Sequence, residues 1–268
     1  MAMTPIEDRP NFLRNDRLLV CGMFLIYGVC ILGAIGAAFW GLTLRSQKES
    51  ADATSTAHAI STQVAQVTAT VAAQATEQAQ YKIVDGFDKN TDRWWTGYQN
   101  NISYTGTISI VGGVYTWDFQ KVKRSFIHWA DFLEGNKSRN VDTYVDTKIP
   151  RSTKAYACSG LILRKAGGNI EEGAYIFKLC NNTNFSVWFL KDNWIQLVRP
   201  TYDPVIHLWE WNRLAVSARE DRFIFQINGK TVATITDDRL QNGNIALYVE
   251  AEEGPASIWF DNFGYQPR

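Results

Sequence analysis

The residues of this 268-residue chain best suited to chemistry are its tryptophans. Nine of the ten lie in the later two thirds, at positions 94, 95, 117, 129, 188, 194, 209, 211 and 259. An indole face stacks on a sugar ring, burying apolar C–H surface while neighbouring polar groups bond the hydroxyls; the same ring equally well fills a core. Trp188 shares a short apolar run with Phe189 and Leu190. The pattern points to a glycan face on the sheet that carries Arg164, Tyr175 and Trp188, with Trp194 at its margin. Carboxylates offer less. Glu250 and Glu252 stand two residues apart beside a Glu-Gly-Pro turn, which suits a solvated strand end better than a catalytic pair, and Asp142 and Asp146 form a similar couple. The three histidines, His58, His128 and His207, have no zinc spacing, and no nucleophile elbow or phosphate-binding glycine loop is present.

Three unlike segments must position these residues. Lys and Arg number 27 against 27 Asp and Glu, a zero balance that argues against a nucleic-acid partner. With 46% hydrophobic and 20% charged residues the chain is too apolar to be wholly disordered. Residues 18–44 carry no charge and are bounded by Arg17 and Arg45. Such a run exceeds the roughly 20 residues needed to cross a bilayer, so a single transmembrane helix is expected, with Phe39 and Trp40 as interfacial anchors. Arg9, Arg14 and Arg17 precede it, against Arg45 and Lys48 after it, a slight bias, and the cysteines and aromatic-rich β pattern of the downstream domain are the stronger argument for residues 1–17 in the cytoplasm and the rest outside. Residues 45–80 form a stalk rich in Ala, Thr and Gln, without the apolar content for a core. Ile60, Val64, Val67 and Val71 would align on one helical face, a stripe that suits a monomeric stalk better than a coiled coil.

Residues 81–268 are large enough for one domain. Short runs rich in β-branched and aromatic residues, such as TGTISIV, GAYIFKL, FSVWFL and RFIFQI, alternate with turn signals, and no segment sustains a helical period. Asn228-Gly229 between two such runs predicts a hairpin with a type I′ turn. An all-β fold follows, an antiparallel sandwich or jelly roll. Cys158 and Cys180 flank an apparent hairpin, so strand pairing would bring them to the same end, as a disulfide or as two buried thiols. Asp261 with Asp85 or Asp88 could hold a structural calcium through oxygen ligands, the alternative being ordinary edge carboxylates; no other cofactor is expected. Asn-x-Ser/Thr triplets begin at Asn101, Asn136, Asn181 and Asn184.

The order of several motifs resembles the concanavalin A-like lectin/glucanase superfamily, in particular the domain family named for 3-keto-disaccharide hydrolase. Trp211-Asn212, Asn228-Gly229-Lys230, Gly243 to Leu247 and Phe260-Asp261-Asn262 match its closing strands, and VDGFDKNTDRWW, SGLILRK and GAYIFKL are similar to its opening and central strands. The resemblance implies a concanavalin A-like sandwich over 81–268 and puts Trp211 and Trp259 in its core. Retaining glucanases of the superfamily carry Glu-x-Asp-x-x-Glu on one strand, which this chain lacks. Three functions are therefore expected in descending order: a membrane-anchored module at the cell surface that binds carbohydrate or another envelope ligand without catalysis, a structural subunit of a membrane or surface assembly, and a hydrolase of glycosides or 3-keto-glycosides.

Overall fold

The computed structural model describes residues 61–65, 68, 80–90, 94–132 and 137–268. Two compact units divide the chain at Ala73/Gln74. In the first, residues 61–65 and 68 are helical, Val64 is 43% exposed, and Thr68 Oγ1 donates to Val64 O at 2.8 Å. The expected transmembrane helix at 18–44 and the cytoplasmic tail at 1–17 lie outside the described residues, as does most of the stalk.

The second unit is all-β over its described residues. Fifteen strands run in order: β1 (Ile83–Asp85), β2 (Gly97–Asn100), β3 (Tyr104–Val111), β4 (Val114–Val122), β5 (Phe126–Asp131), β6 (Val141–Lys148), β7 (Ala157–Lys165), β8 (Ala174–Cys180), β9 (Asn184–Lys191), β10 (Asn193–Tyr202), β11 (Asn212–Arg219), β12 (Arg222–Ile227), β13 (Lys230–Thr236), β14 (Asn244–Ala251) and β15 (Ala256–Pro267). They form a nine-stranded sheet, β13-β12-β11-β6-β15-β4-β3-β2 with β1 added against β15, and a six-stranded sheet, β10-β9-β8-β7-β14-β5. Every pairing is antiparallel, the arrangement of a jelly-roll sandwich. Asn228 and Gly229 both adopt positive φ (49° and 80°), as the two central residues of the expected hairpin turn require.

Alternation along the strands fills the core. Tyr175, Phe177, Val187 and Phe189 of the small sheet face Phe223, Phe225, Leu214 and Val216 of the large one. Tyr175 packs on Phe223 with centroids 4.7 Å apart, and Phe177 on Phe225 at 5.1 Å. His128 is half-buried beside Trp117, at 5.2 Å between centroids, and the loss of solvent holds its pKa below the ordinary value.

The carboxylates considered for calcium are engaged by the protein. Asp85 accepts hydrogen bonds from Phe87 N (2.9 Å) and Trp94 Nε1 (3.0 Å). Asp261 accepts from Asn262 N at 2.7 Å. Among the described residues no group of three or more His, Cys, Asp or Glu is placed to share a metal. Burial raises the Asp261 pKa to about 6, with the nearby Asp146 and Asp88 charges adding to the effect. Because the folded value lies above the unfolded one, the folded state binds the proton more tightly, and stability falls as the pH rises through about 6. Asp261→Asn keeps an acceptor for Asn262 N and removes the charge. The variant should gain about 1–2 kcal/mol at pH 8, after allowance for solvent screening, and nothing at pH 4, measured by denaturant unfolding at the two pH values.

Candidate functional site

The outer face of the six-stranded sheet departs from what an ordinary solvated face would carry. Register pairs set its rows: Trp129 (β5) opposite Tyr248 (β14), then Gly160 (β7), Lys178 (β8) and Ser186 (β9). The next row holds Asp131, Ala246, Ile162, Ile176, Trp188 and Gln196. An apolar cluster of Ile162, Ile170, Ala174, Ile176, Leu190, Ala246 and Tyr248 lies under the half-buried Trp129 and Trp188. Gly160 keeps the floor low, because a Cβ there would stand 2.1 Å from the backbone oxygen of Phe177.

Two ionic clusters stand on this floor. Lys178 Nζ pairs with Glu250 Oε2, and the same oxygen accepts from Tyr248 Oη at 2.9 Å. Burial, and then the Glu250 charge, raise the Tyr248 pKa well above its ordinary value, so the phenol stays a neutral donor. Tyr156, beside this cluster, is pushed up to about 12 chiefly by burial, and it too remains protonated; its Oη lies 3.1 Å from Cys180 Sγ. At the other end Lys165, 1% exposed, lies 3.2 Å from Asp131 and donates to the Gly167 and Gly168 carbonyls. Lys165, Asp131, Gly167, Gly168 and Asn244 line a cavity of about 350 Å³. A short 3-10 turn, Ile170–Glu172, closes this end; Asn169 caps it by accepting from Glu171 N, and Ile170 is tucked into the apolar cluster.

Of the residues expected to bind ligand, the structure brings two together. Trp188 and Trp194 meet edge to face with centroids 5.9 Å apart, Trp194 being 44% exposed. Trp188 Nε1 donates to Ser186 Oγ at 2.9 Å, and Lys178 Nζ lies 5.9 Å over the Trp188 ring. Arg164 and Tyr175 belong to the same sheet, but their side chains occupy its inner side. Arg164 is fully buried, stacks 4.4 Å over Phe223, and donates to Leu240 O (2.7 Å), Arg139 O (2.8 Å) and Glu220 O. Tyr175 Oη donates to Asp237 Oδ1 at 2.6 Å. Both tie loops at one end of the sandwich. Cys158 and Cys180 are directly paired across β7 and β8 and form a disulfide on the outer face, in register with Glu250.

Sequence reasoning missed the Lys178–Glu250–Tyr248 cluster, because 72 residues separate the ion pair's partners. Glu250 is not a solvated strand end; its side chain is 21% exposed and held by two donors, whereas Glu252 is exposed. Asp142 and Asp146 also have structural partners, the former Arg219 and Arg268, the latter Arg213 at 2.7 Å.

A family model described as the 3-keto-alpha-glucoside-1,2-lyase-like domain matches residues 80–264. The chain belongs to that family. No curated protein matches it in sequence. Among solved structures, the catalytic domain of an endo-1,3-β-glucanase (laminarinase) from Thermotoga petrophila RKU-1 is similar, with a TM-score of 0.50 and 9% identity, over 70% of this chain and 98% of that one. A GlcNAcα1-4Gal-releasing endo-β-galactosidase from Clostridium perfringens superposes with a TM-score of 0.53 and 7% identity, over 70% of this chain and 63% of that one. At these identities the likeness is one of fold. This family member therefore shares the jelly-roll sandwich fold with them.

Proposed function

We propose that this protein is a saccharide-binding module displayed at the cell surface, tethered by a helix at 18–44 and a stalk at 45–80, with its N-terminus in the cytoplasm. The observation that carries the binding reading is the Trp188–Trp194 corner on a low apolar floor, bordered by Ser186, Gln196 and the Lys178–Glu250 pair. Trp194 offers an exposed indole for the C–H face of a pyranose, Trp188, fixed by the buried Ser186, forms the wall, and Gln196 and the Lys178–Glu250 pair donate to and accept from hydroxyls. The disulfide suits the oxidising space outside a cytoplasm, which agrees with this topology.

Screening the full-length protein against a glycan array tests the reading. Wild type should bind, and Trp188→Ala and Trp194→Ala should each weaken binding about tenfold or more, the cost of removing a central aromatic contact. Binding unchanged in both variants would sink this assignment of the face. A 3-keto glucoside belongs in the same panel. Glu250, partly exposed on this face and held by the buried Tyr248 hydroxyl, is a carboxylate suited to taking the proton beside a ketone as the bond to the aglycone breaks and to giving it to the departing oxygen. Release of the aglycone, lost in Glu250→Gln while binding persists, would make the same face a lyase centre.

A further inference from the structure

The large sheet carries a second aromatic surface on its outer side. The family resemblance puts Trp211 and Trp259 in the core, but Trp211 is 37% exposed and Trp259 half-buried, because strand parity sends both outward while Ile258, Phe260 and Leu214 point in. Lys148 Nζ sits between the two indoles, 5.9 Å from the Trp211 centroid and 5.5 Å from that of Trp259. The row continues by register from Lys148 to Trp259, Thr116 and Ser109, and the hydroxyls of the last two bond at 2.9 Å. Beside it runs a second row, Ser257, Asp118, Thr107 and Tyr98, in which Ser257 Oγ donates to Asp118 at 2.6 Å and Tyr98 is 62% exposed. With strands about 4.8 Å apart, the first row from Trp211 on the β11 edge to Ser109 on β3 spans about 19 Å.

The loop that leads into Trp211 is tied down by hydrogen bonds. Asn212 Nδ2 donates to His207 O (2.8 Å) and Glu210 O (3.1 Å), and its Oδ1 accepts from His207 N (2.8 Å) and from Asn228 Nδ2 (2.9 Å). Asn228 Nδ2 also donates to Val205 O at 2.7 Å. The loop so clamped holds Trp209 at a φ of 67°, a left-handed conformation that is strained for a bulky residue and persists only where surrounding contacts impose it. Backbone strain at Trp209 two residues from the exposed indole of Trp211 is a feature of ligand clamps rather than of an idle sheet face.

We infer that the outer face of the nine-stranded sheet is a second saccharide track, which takes an extended neutral oligosaccharide stacked on Trp211 and Trp259 and bonded along the Thr116–Ser109 and Ser257–Tyr98 rows. A neutral chain fits because no one sign of charge dominates the face: Asp146 is paired with Arg213, and the remaining Asp118 and Lys148 are of opposite sign, the former accepting from Ser257 and the latter lying between two ring faces. An extended chain fits because the polar groups repeat at strand spacing across the sheet, away from the 350 Å³ cavity of the other face. The two faces lie on opposite sides of the sandwich, so one domain would join two glycan chains.

The test uses full-length protein and calorimetric titration with neutral mono- to hexasaccharides from β-glucan, xylan, mannan and chitin, on wild type, Trp188→Ala, Trp211→Ala and the doubles Trp188→Ala/Trp211→Ala and Trp188→Ala/Trp211→Phe. In Trp188→Ala, which removes the first face, a chain of four or more units should still bind. In that background Trp211→Ala should weaken the binding about tenfold and Trp211→Phe should recover part of it, while Trp211→Ala alone should leave the binding of single sugars unaffected. Trp211 is 37% exposed, so its variants should fold, and thermal unfolding equal to that of wild type checks it. Binding by Trp188→Ala that is indifferent to Trp211→Ala overturns the second track, as does no binding at all by Trp188→Ala. Loss in Trp211→Ala alone would retire the first face and keep the second.

Discussion

Replacing Arg164 by alanine is expected to cost about 3–5 kcal/mol of folding stability, the range found when one partner of a buried polar cluster is removed. The guanidinium is fully buried and holds the carbonyls of Arg139, Glu220 and Leu240, which belong to three separate loops, while its plane stacks on Phe223. Alanine leaves those carbonyls without their donors, each costing about 1–3 kcal/mol where it stays out of water, and vacates the ring face as well. Gly243 shows how closely the chain wraps this residue, since a Cβ there would stand 2.3 Å from the Arg164 carbonyl carbon. Arg164→Lys should recover less than half of the loss, because an ammonium has no planar fork to serve three acceptors at once. Guanidinium denaturation of the three proteins gives the values. An Arg164→Ala protein of wild-type stability that failed to bind saccharide would instead return Arg164 to the ligand face.

Why Arg164 reads as a ligand residue in the sequence is instructive. Leu161 and Leu163 point inward and Ile162 outward, so strict alternation puts Arg164 outward, toward solvent and any sugar. Its φ of 52° breaks the alternation and swings the side chain into the core, and the pairing of β7 with β14 shifts register at the same place. No residue type announces that kink. Tyr175 fails for a different reason: the register pairs it with Phe189 and pairs Ile176 with Trp188, so Tyr175 and Trp188 take opposite faces, and one residue of slip would exchange them. Local signals were readable. The Asn228-Gly229 turn, the apolar runs that became β3, β8, β9 and β12, and the Cys158–Cys180 pairing each depend on neighbours within one hairpin or strand. β5 was not legible, since Phe126–Asp131 mixes His128, Trp129 and Asp131 without a clean period. The Lys178–Glu250 pair was not legible either, because contact between residues so distant in sequence is decided by sheet order, which the sequence does not write locally.

Removing the disulfide should have the second large effect. Cys158 and Cys180 are separated by 22 residues, so the cross-link restricts the unfolded chain by about 3 kcal/mol. A Cys158→Ser/Cys180→Ser protein should lose about that much in urea denaturation, and reductant should lower wild-type stability to a similar level while leaving the variant unchanged. The native fold should survive, because the bond joins residues already paired by the backbone ladder of β7 and β8. Ligand binding is the more telling readout. The disulfide lies in register with Glu250, whose oxygen is fixed by Lys178 of β8 and Tyr248 of β14, so the cross-link stiffens the strands that carry this cluster without forming part of it. Weakened folding with near-normal affinity at low temperature is the expected pair of results. Affinity lost in proportion to stability would show that the Glu250 end of the face is held in shape by the covalent bond rather than by its own hydrogen bonds.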